Sequence, residues 1–255
     1  QYASRFTRVV LTGGEPLLYL KNVKTICELL PSFVEKRIIT NGTLLTHKLV
    51  DYFNDRNVYV FVSHDGKYSN MLRGYDILDT HSDIIKRIKL LGISSTITNK
   101  NINILENRKN TSYKLGRDDF WYVWNLYSEQ QGTKANKFVE GFDYQMYRKY
   151  ITEYLTIYPT SSGDTWLWNG VSRNRTNGTR VRLDGVIEDL TTTKIYGTVF
   201  DDENYILKQM ESIDCPRNCA YPDVCVARKQ FASRHWCTAT EMSIEAYSFV
   251  NNRED

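Results

Sequence analysis

Residues 9–18 read VVLTGGEPLL. Val9, Val10 and Leu11 form a short apolar run of the kind a buried strand shows. Thr12-Gly13-Gly14-Glu15-Pro16 then breaks the run, and a helical pattern follows. Two adjacent glycines let backbone N–H groups approach a ligand with no Cβ in the way. Pro16 has the fixed φ that suits a first helical turn. Glu15 adds a carboxylate at the strand end, which suits the ammonium of an amino-acid-like ligand. An ordinary βα loop with a solvated glutamate carries the same letters, so the stretch alone leaves both readings open.

The downstream pattern repeats the arrangement. Residues 20–35 show apolar positions near a 3.6 period (Val23, Ile26, Cys27, Leu29, Leu30, Phe33, Val34), a helix with Cys27 as a buried structural thiol. A strand at Ile38 and Ile39 ends in Thr40-Asn41-Gly42, and Leu45 to Phe53 is a second helix. Val58 to Val62 is a strand ending in Ser63-His64-Asp65-Gly66, followed by a loop over 67–76. Ile77 to Leu91 reads as a helix with Gly92 as its C-cap, and Ile93 to Thr98 as a strand. Residues 103–111 read as a helix, Asp119 to Leu126 (with FWYVWNL) as a strand, and Phe142 to Tyr158 as an amphipathic helix.

This alternation implies a parallel α/β sheet with right-handed crossovers, whose ligands collect at the C-terminal strand ends. Three successive strands end in small polar clusters, GGE, TNG and SHDG, which such a sheet presents on one side. Residues 159–180, rich in Ser, Thr, Gly and Asn, read as a connection. VRLDGVIEDL at 181–190 is a hairpin around Asp184-Gly185, KIYGTVF at 194–200 a third strand, and 202–212 a short helix.

The 255 residues are 41% hydrophobic and 25% charged, ample for a packed core. A net charge of +3 with scattered positives gives no nucleic-acid signal, and there is no run of 18 apolar residues and no signal peptide. Four of the five cysteines fall late, as Cys215-x3-Cys219-x5-Cys225-x11-Cys237. Four thiolates from one short segment suit a tetrahedral zinc or an iron–sulfur cluster. The irregular gaps favour the cluster, since structural zinc more often shows two tight pairs. His235 is a surface or packing residue by this reading, because four cysteines suffice.

GGEP, TNG and SHDG, in this order on successive strand ends, resemble a radical S-adenosylmethionine (SAM) enzyme. SHDG followed by RGYDIL resembles the SLDG…R…F/YD pattern of members with a C-terminal SPASM or twitch domain. The hairpin and the Cx3Cx5C stretch resemble the start and the cluster motif of that domain, and the likeness spans nearly the whole chain. It implies a partial (β/α)6 barrel lacking its first strand over residues 1–158, and a small cysteine-rich α+β domain over 159–255. It implies that Thr12, Gly13, Gly14 and Glu15, with Pro16, hold the methionine amino group of SAM. By the same resemblance Ser63 and Asp65 contact the ribose, Asn41 lies near the cofactor, and Cys215, Cys219, Cys225 and Cys237 ligate an auxiliary [4Fe–4S] cluster. The implied chemistry is reductive cleavage of SAM to a 5′-deoxyadenosyl radical that abstracts hydrogen from a peptide or protein substrate, or matures another enzyme. A flavodoxin or ferredoxin would supply electrons, in a reducing cytoplasm. Trp121, Tyr122 and Trp124 fall in the segment that would line the substrate pocket, although such an aromatic run is more often core.

Three departures qualify the resemblance. The family's Cx3Cx2C motif, which carries the catalytic [4Fe–4S] cluster after the first strand, does not occur here. A truncated chain explains this better than a degenerate enzyme, because the other SAM-facing motifs are intact, and the chain as written is expected not to cleave SAM. Leu190 stands where the hairpin cysteine of a two-cluster domain is expected, which argues for one auxiliary cluster. The first cysteine gap is three rather than two, and Cys237 is assigned by proximity alone. The alternative is a non-catalytic scaffold on the same fold with a structural four-cysteine zinc site.

Overall fold

The computed structural model describes residues 8–126, 136–158, 179–181, 186–189, 195–198, 200–202, 205, 242–243, 245–246 and 249–250. Two compact units make up the chain: Gln1–Asn125 with Tyr158–Thr165, and Leu126–Ile157 with Trp166–Asp255.

The first unit alternates strand and helix: β1 (Arg8–Leu11), α1 (Leu20–Leu29), β2 (Glu35–Thr40), α2 (His47–Asp55), β3 (Val58–Ser63), α3 (Ser69–Arg73), α4 (Ile77–Ile85), β4 (Leu91–Ile97), α5 (Ile104–Leu115) and β5 (Trp121–Leu126). The strands lie in sequence order in one sheet, parallel and curled into a half-barrel, as the α/β alternation predicts. Helical crossovers let each strand pair in parallel with its predecessor. The register sets Arg37 against Tyr59, Phe61 against Gly92, and Ser63 against Ser94. With a side-chain period of two, Tyr59, Phe61 and Ser63 share one face of β3, and Val58, Val60 and Val62 the other. The three valines are fully buried, with Ile38, Val50, Phe53, Ile85 and Ile93. Each such burial contributes about 1.5–3 kcal/mol, which makes this layer the main source of stability.

The Tyr59 face carries an aromatic cluster. Trp121 lies 5.0 Å from Tyr59 and 6.4 Å from Phe61, centroid to centroid, and the Arg37 guanidinium sits 4.8 Å from the Trp121 ring. Tyr122 and Trp124 are buried, so these two members of the aromatic run are core. Cys27 is buried as its helical position predicts.

Three local expectations are corrected. The helix predicted over 20–35 ends at Leu29: Leu30 is extended, as a residue before proline prefers, and Pro31 cannot continue the ladder. Leu29 and Phe33 consequently stay exposed. The loop predicted over 67–76 contains a 3-10 turn (Gly66–Tyr68) and α3, closed by Gly74 in the left-handed region. Gly92 is not a helix C-cap; α4 stops at Ile85, and Gly92 lies inside β4. A Cβ there would come within 2.3 Å of the Phe61 ring, so the glycine makes room for a cross-strand aromatic rather than ending a helix. Gly92→Val is expected to lower unfolding free energy by about 1–3 kcal/mol through overpacking, read as a lower urea midpoint.

In the second unit, α6 (Asn136–Val139) precedes α7 (Tyr144–Ile157), which buries Tyr147, Ile151, Tyr154 and Leu155 along one stripe. Arg148 pairs with Glu245 at 3.3 Å. The expected hairpin and third strand form an antiparallel sheet of β6 (Thr179–Val181), β7 (Val186–Asp189) and β8 (Ile195–Thr198). Asp184, Gly185, Leu190, most of the helix expected over 202–212, and Cys215, Cys219, Cys225, His235 and Cys237 lie outside the described residues. Among the described residues no helix is long and apolar enough to cross a membrane.

Candidate functional site

The predicted cofactor residues gather at the C-terminal ends of β1, β2 and β3. Thr12, Gly13 and Gly14 are exposed on the turn after β1. Gly13 takes φ +149°, which side-chain-bearing residues rarely adopt, and beyond the adjoining residues no atom of the described residues lies within 4 Å of where a Cβ would stand on either glycine. The turn is thus bare backbone facing open space.

Glu15 is turned toward the neighbouring strand. Its carboxylate accepts from Leu17 N (3.0 Å), Thr40 Oγ1 (2.8 Å) and Asn41 N (2.8 Å). It caps the 3-10 turn Pro16–Tyr19 and ties the end of β1 to the end of β2. All three donors are neutral, and no Lys, Arg or His among the described residues is paired with Glu15. A carboxylate offers about four acceptor positions, so this one keeps both its charge and room for a further donor. The arrangement fits the ammonium end of SAM: anionic, oriented and beside a turn with no side-chain obstruction. Thr40 Oγ1 in turn accepts from Gly42 N (3.1 Å), and Asn41 Oδ1 accepts from Thr43 N (2.9 Å), so the TNG turn is held by its own side chains.

The turn after β3 is more deeply held. Ser63 is half-buried and shares the Tyr59 face. Asp65 is buried; its Oδ1 accepts from Thr96 N (2.7 Å), Arg73 Nη2 (3.1 Å) and Ser95 Oγ (3.3 Å), and its Oδ2 lies 2.6 Å from Arg73 Nε. Most of its acceptor capacity is therefore used within the protein. His64, fully buried, bridges Thr111 Oγ1 (2.8 Å) and Asp76 Oδ1 (3.1 Å). Asp76 caps α4 through Leu78 N and receives Lys114 Nζ at 2.6 Å. Burial pushes the Asp76 carboxyl up, but hydrogen bonds from His64 and Lys114 more than reverse this and hold it well below the usual carboxylate range.

Thr12, Gly13, Gly14, Glu15, Pro16 and Asn41 thus come together on two adjacent strand ends, with Ser63 and Asp65 on the next strand. Thr40, His64, Arg73 and Asp76 stand within the quoted motifs, but the sequence gives none of them a partner or a bracing role. Their partners are 8 to 47 residues away in the chain, a distance no local spacing reveals. Among the described residues no group of three or more His, Cys, Asp or Glu forms a metal site.

No protein-family model matches the chain, and no curated protein matches its sequence. Solved structures do. The chain superposes on native anSMEcpe with bound AdoMet and Kp18Cys peptide at TM-score 0.62 and 16% identity, covering 95% of this chain and 83% of that one. It matches native anSMEcpe with bound AdoMet at TM-score 0.62 and 16% identity, over 96% and 83%. A third match, anSMEcpe with AdoMet and Cp18Cys peptide, has TM-score 0.61 and 15% identity, over 96% and 85%. At this identity the likeness concerns fold, and it agrees with the curled five-stranded sheet: the chain has the same α/β half-barrel fold as these AdoMet-bound structures.

Proposed function

We propose that this chain is the core of a radical SAM enzyme acting on a peptide or protein. One observation carries the reading: the Glu15 carboxylate, braced by three neutral donors and with no cation paired to it among the described residues, stands beside the bare Gly13-Gly14 turn. In this reading Thr12, Gly13, Gly14, Glu15 and Pro16 receive the methionine end of SAM. Ser63 lies toward the ribose, Asp65 stiffens the turn beside it, and Asn41 borders the cofactor. When bound, SAM with a reduced [4Fe–4S] cluster supplies hydrogen abstraction from the substrate. The protein's part is to orient the cofactor and exclude water. Cys215, Cys219, Cys225 and Cys237 are assigned to an auxiliary [4Fe–4S] cluster, residues 1–158 to the SAM core and 159–255 to the cluster domain. The peptide assignment is supported by the anSMEcpe structure that holds Kp18Cys peptide. Electron supply by a flavodoxin or ferredoxin, in the cytoplasm, belongs to the same proposal.

The test is anaerobic. The purified chain is expected to contain about four iron and about four sulfide, as one [4Fe–4S] cluster on four thiolates requires, and to bind SAM saturably in equilibrium dialysis. About one zinc without sulfide would replace the cluster assignment with a structural site. Absence of SAM binding would overturn the functional reading.

A further inference from the structure

His64 stands between Ser63, proposed to lie toward the ribose, and Asp65, which stiffens the same turn, and its ring bonds to neither. Its ring nitrogens reach α5 at Thr111 and the N-cap of α4 at Asp76, while its backbone N–H donates to Ser94 O on β4 (3.0 Å). One fully buried residue therefore links the turn to three separate elements. The bonds are compatible with either charge state of the ring. Thr111 Oγ1 lies 2.9 Å from the Asn107 carbonyl. With the hydroxyl proton donated there, Oγ1 accepts from Nδ1–H, and the doubly protonated ring also donates to Asp76. With that proton turned to Nδ1, the neutral ring still donates from Nε2 to Asp76. Lys114 pairs with both Asp76 and Asp79 (2.6 Å each), so the network counts two acidic and two basic groups when His64 is charged. The SLDG pattern that this turn resembles has an apolar leucine at this position, which could make neither bond.

We infer that His64 is a positioning residue for the cofactor site: it clamps the turn 63–66 to α4 and α5 and so sets where Ser63 is presented on the Tyr59 face of β3. This rests on the SAM reading above for its ligand, while the clamp itself rests on geometry alone. Asp65 braces the same turn from the other side through Arg73 and Thr96, so releasing His64 frees one side only.

Two measurements on the full chain test it. In His64→Leu, amide hydrogen exchange at residues 63–66 is expected to quicken about tenfold or more, with no change at Thr40 and Asn41. SAM affinity is expected to fall about tenfold. Ile88→Ala, which opens the buried core at the opposite end of β4, is the stability control: it should lower thermal stability and leave SAM affinity within about twofold. His64→Gln, which keeps one donor, should lie between wild type and His64→Leu in both assays and remains informative if the leucine variant does not fold. Exchange at 63–66 that is unchanged in the glutamine and leucine variants overturns the clamp. Faster exchange with wild-type SAM affinity, or an equal affinity loss in Ile88→Ala, overturns the link to the cofactor. Failure of wild type itself to bind SAM overturns the functional reading, and with it that link, and leaves the exchange result to decide the clamp.

Discussion

Glu15→Gln is expected to weaken SAM binding by about 10- to 100-fold, the worth of one hydrogen bond to a charged partner. The substitution keeps the side chain's length and one carbonyl oxygen, and removes the charge. In the native protein Oε1 takes Leu17 N and Thr40 Oγ1, and Oε2 takes Asn41 N. A glutamine oxygen placed at the Oε1 position keeps the first two bonds, but its NH2 group then faces the Asn41 N–H, donor against donor. The turn should therefore also lose about 1 kcal/mol of stability. The two effects separate by measurement: SAM affinity by equilibrium dialysis, stability by urea titration. Asn41→Ala preserves the backbone N–H that Glu15 uses and should cost less than the Glu15 change in both assays. A Glu15→Gln chain that binds SAM as wild type does would remove Glu15 from the site, whatever its role in joining β1 to β2.

Much of this architecture is visible in the letters. VVL, RIIT, VYVFV and ISSTIT are apolar or β-branched runs at regular intervals, and each is followed by a turn residue and then a helical period. Local patterns of this kind determine strand order when every crossover is a helix, and the observed order β1-β2-β3-β4-β5 follows. The turn residues Gly13, Gly14 and Gly42 were legible for the same reason. Gly92 was not: after a helical stretch a glycine reads as a C-cap, and only the register against Phe61 shows why it is there. The apolar period runs on past Pro31 and so overshoots the end of α1, because the proline's effect on Leu30 outweighs hydrophobicity.

The site divides along the same line. Residues that meet a ligand through backbone or a short reach, such as Gly13, Glu15 and Ser63, sit in motifs. Residues that hold those motifs in place can stand among the same letters, but what they hold is not written there. Thr40 opens the TNG turn, yet nothing local shows that its hydroxyl fixes Glu15 on the neighbouring strand. Lys114 looks like a solvated charge in the last turn of a helix, yet it anchors Asp76. Supporting groups are chosen by geometry across the fold, so they become visible only when the strands are side by side.

Arg73→Met is expected to lower unfolding free energy by about 3 kcal/mol, among the largest losses from a single side chain outside the apolar core. Asp65 has 2% of its side-chain surface exposed, and Arg73 is its cationic partner, with Nε 2.6 Å from Oδ2. Removing the guanidinium leaves a carboxylate in a low-dielectric setting, held among the described residues by Thr96 N and Ser95 Oγ. Those two bonds place the estimate at the lower end of the range for a broken buried pair, about 3–5 kcal/mol. Methionine keeps most of the aliphatic volume, so the loss reports charge rather than a cavity. Pairing the substitution with Asp65→Asn tests this directly. If the cost comes from the stranded charge, the double variant should be more stable than Arg73→Met alone, since no ion is then left buried without its counter-ion. Urea unfolding of the four chains of this cycle gives the coupling. A sum of independent losses would mean that Arg73 acts through packing against α3 and its neighbours. A strong coupling would establish the Arg73–Asp65 pair as the electrostatic brace of the turn that presents Ser63.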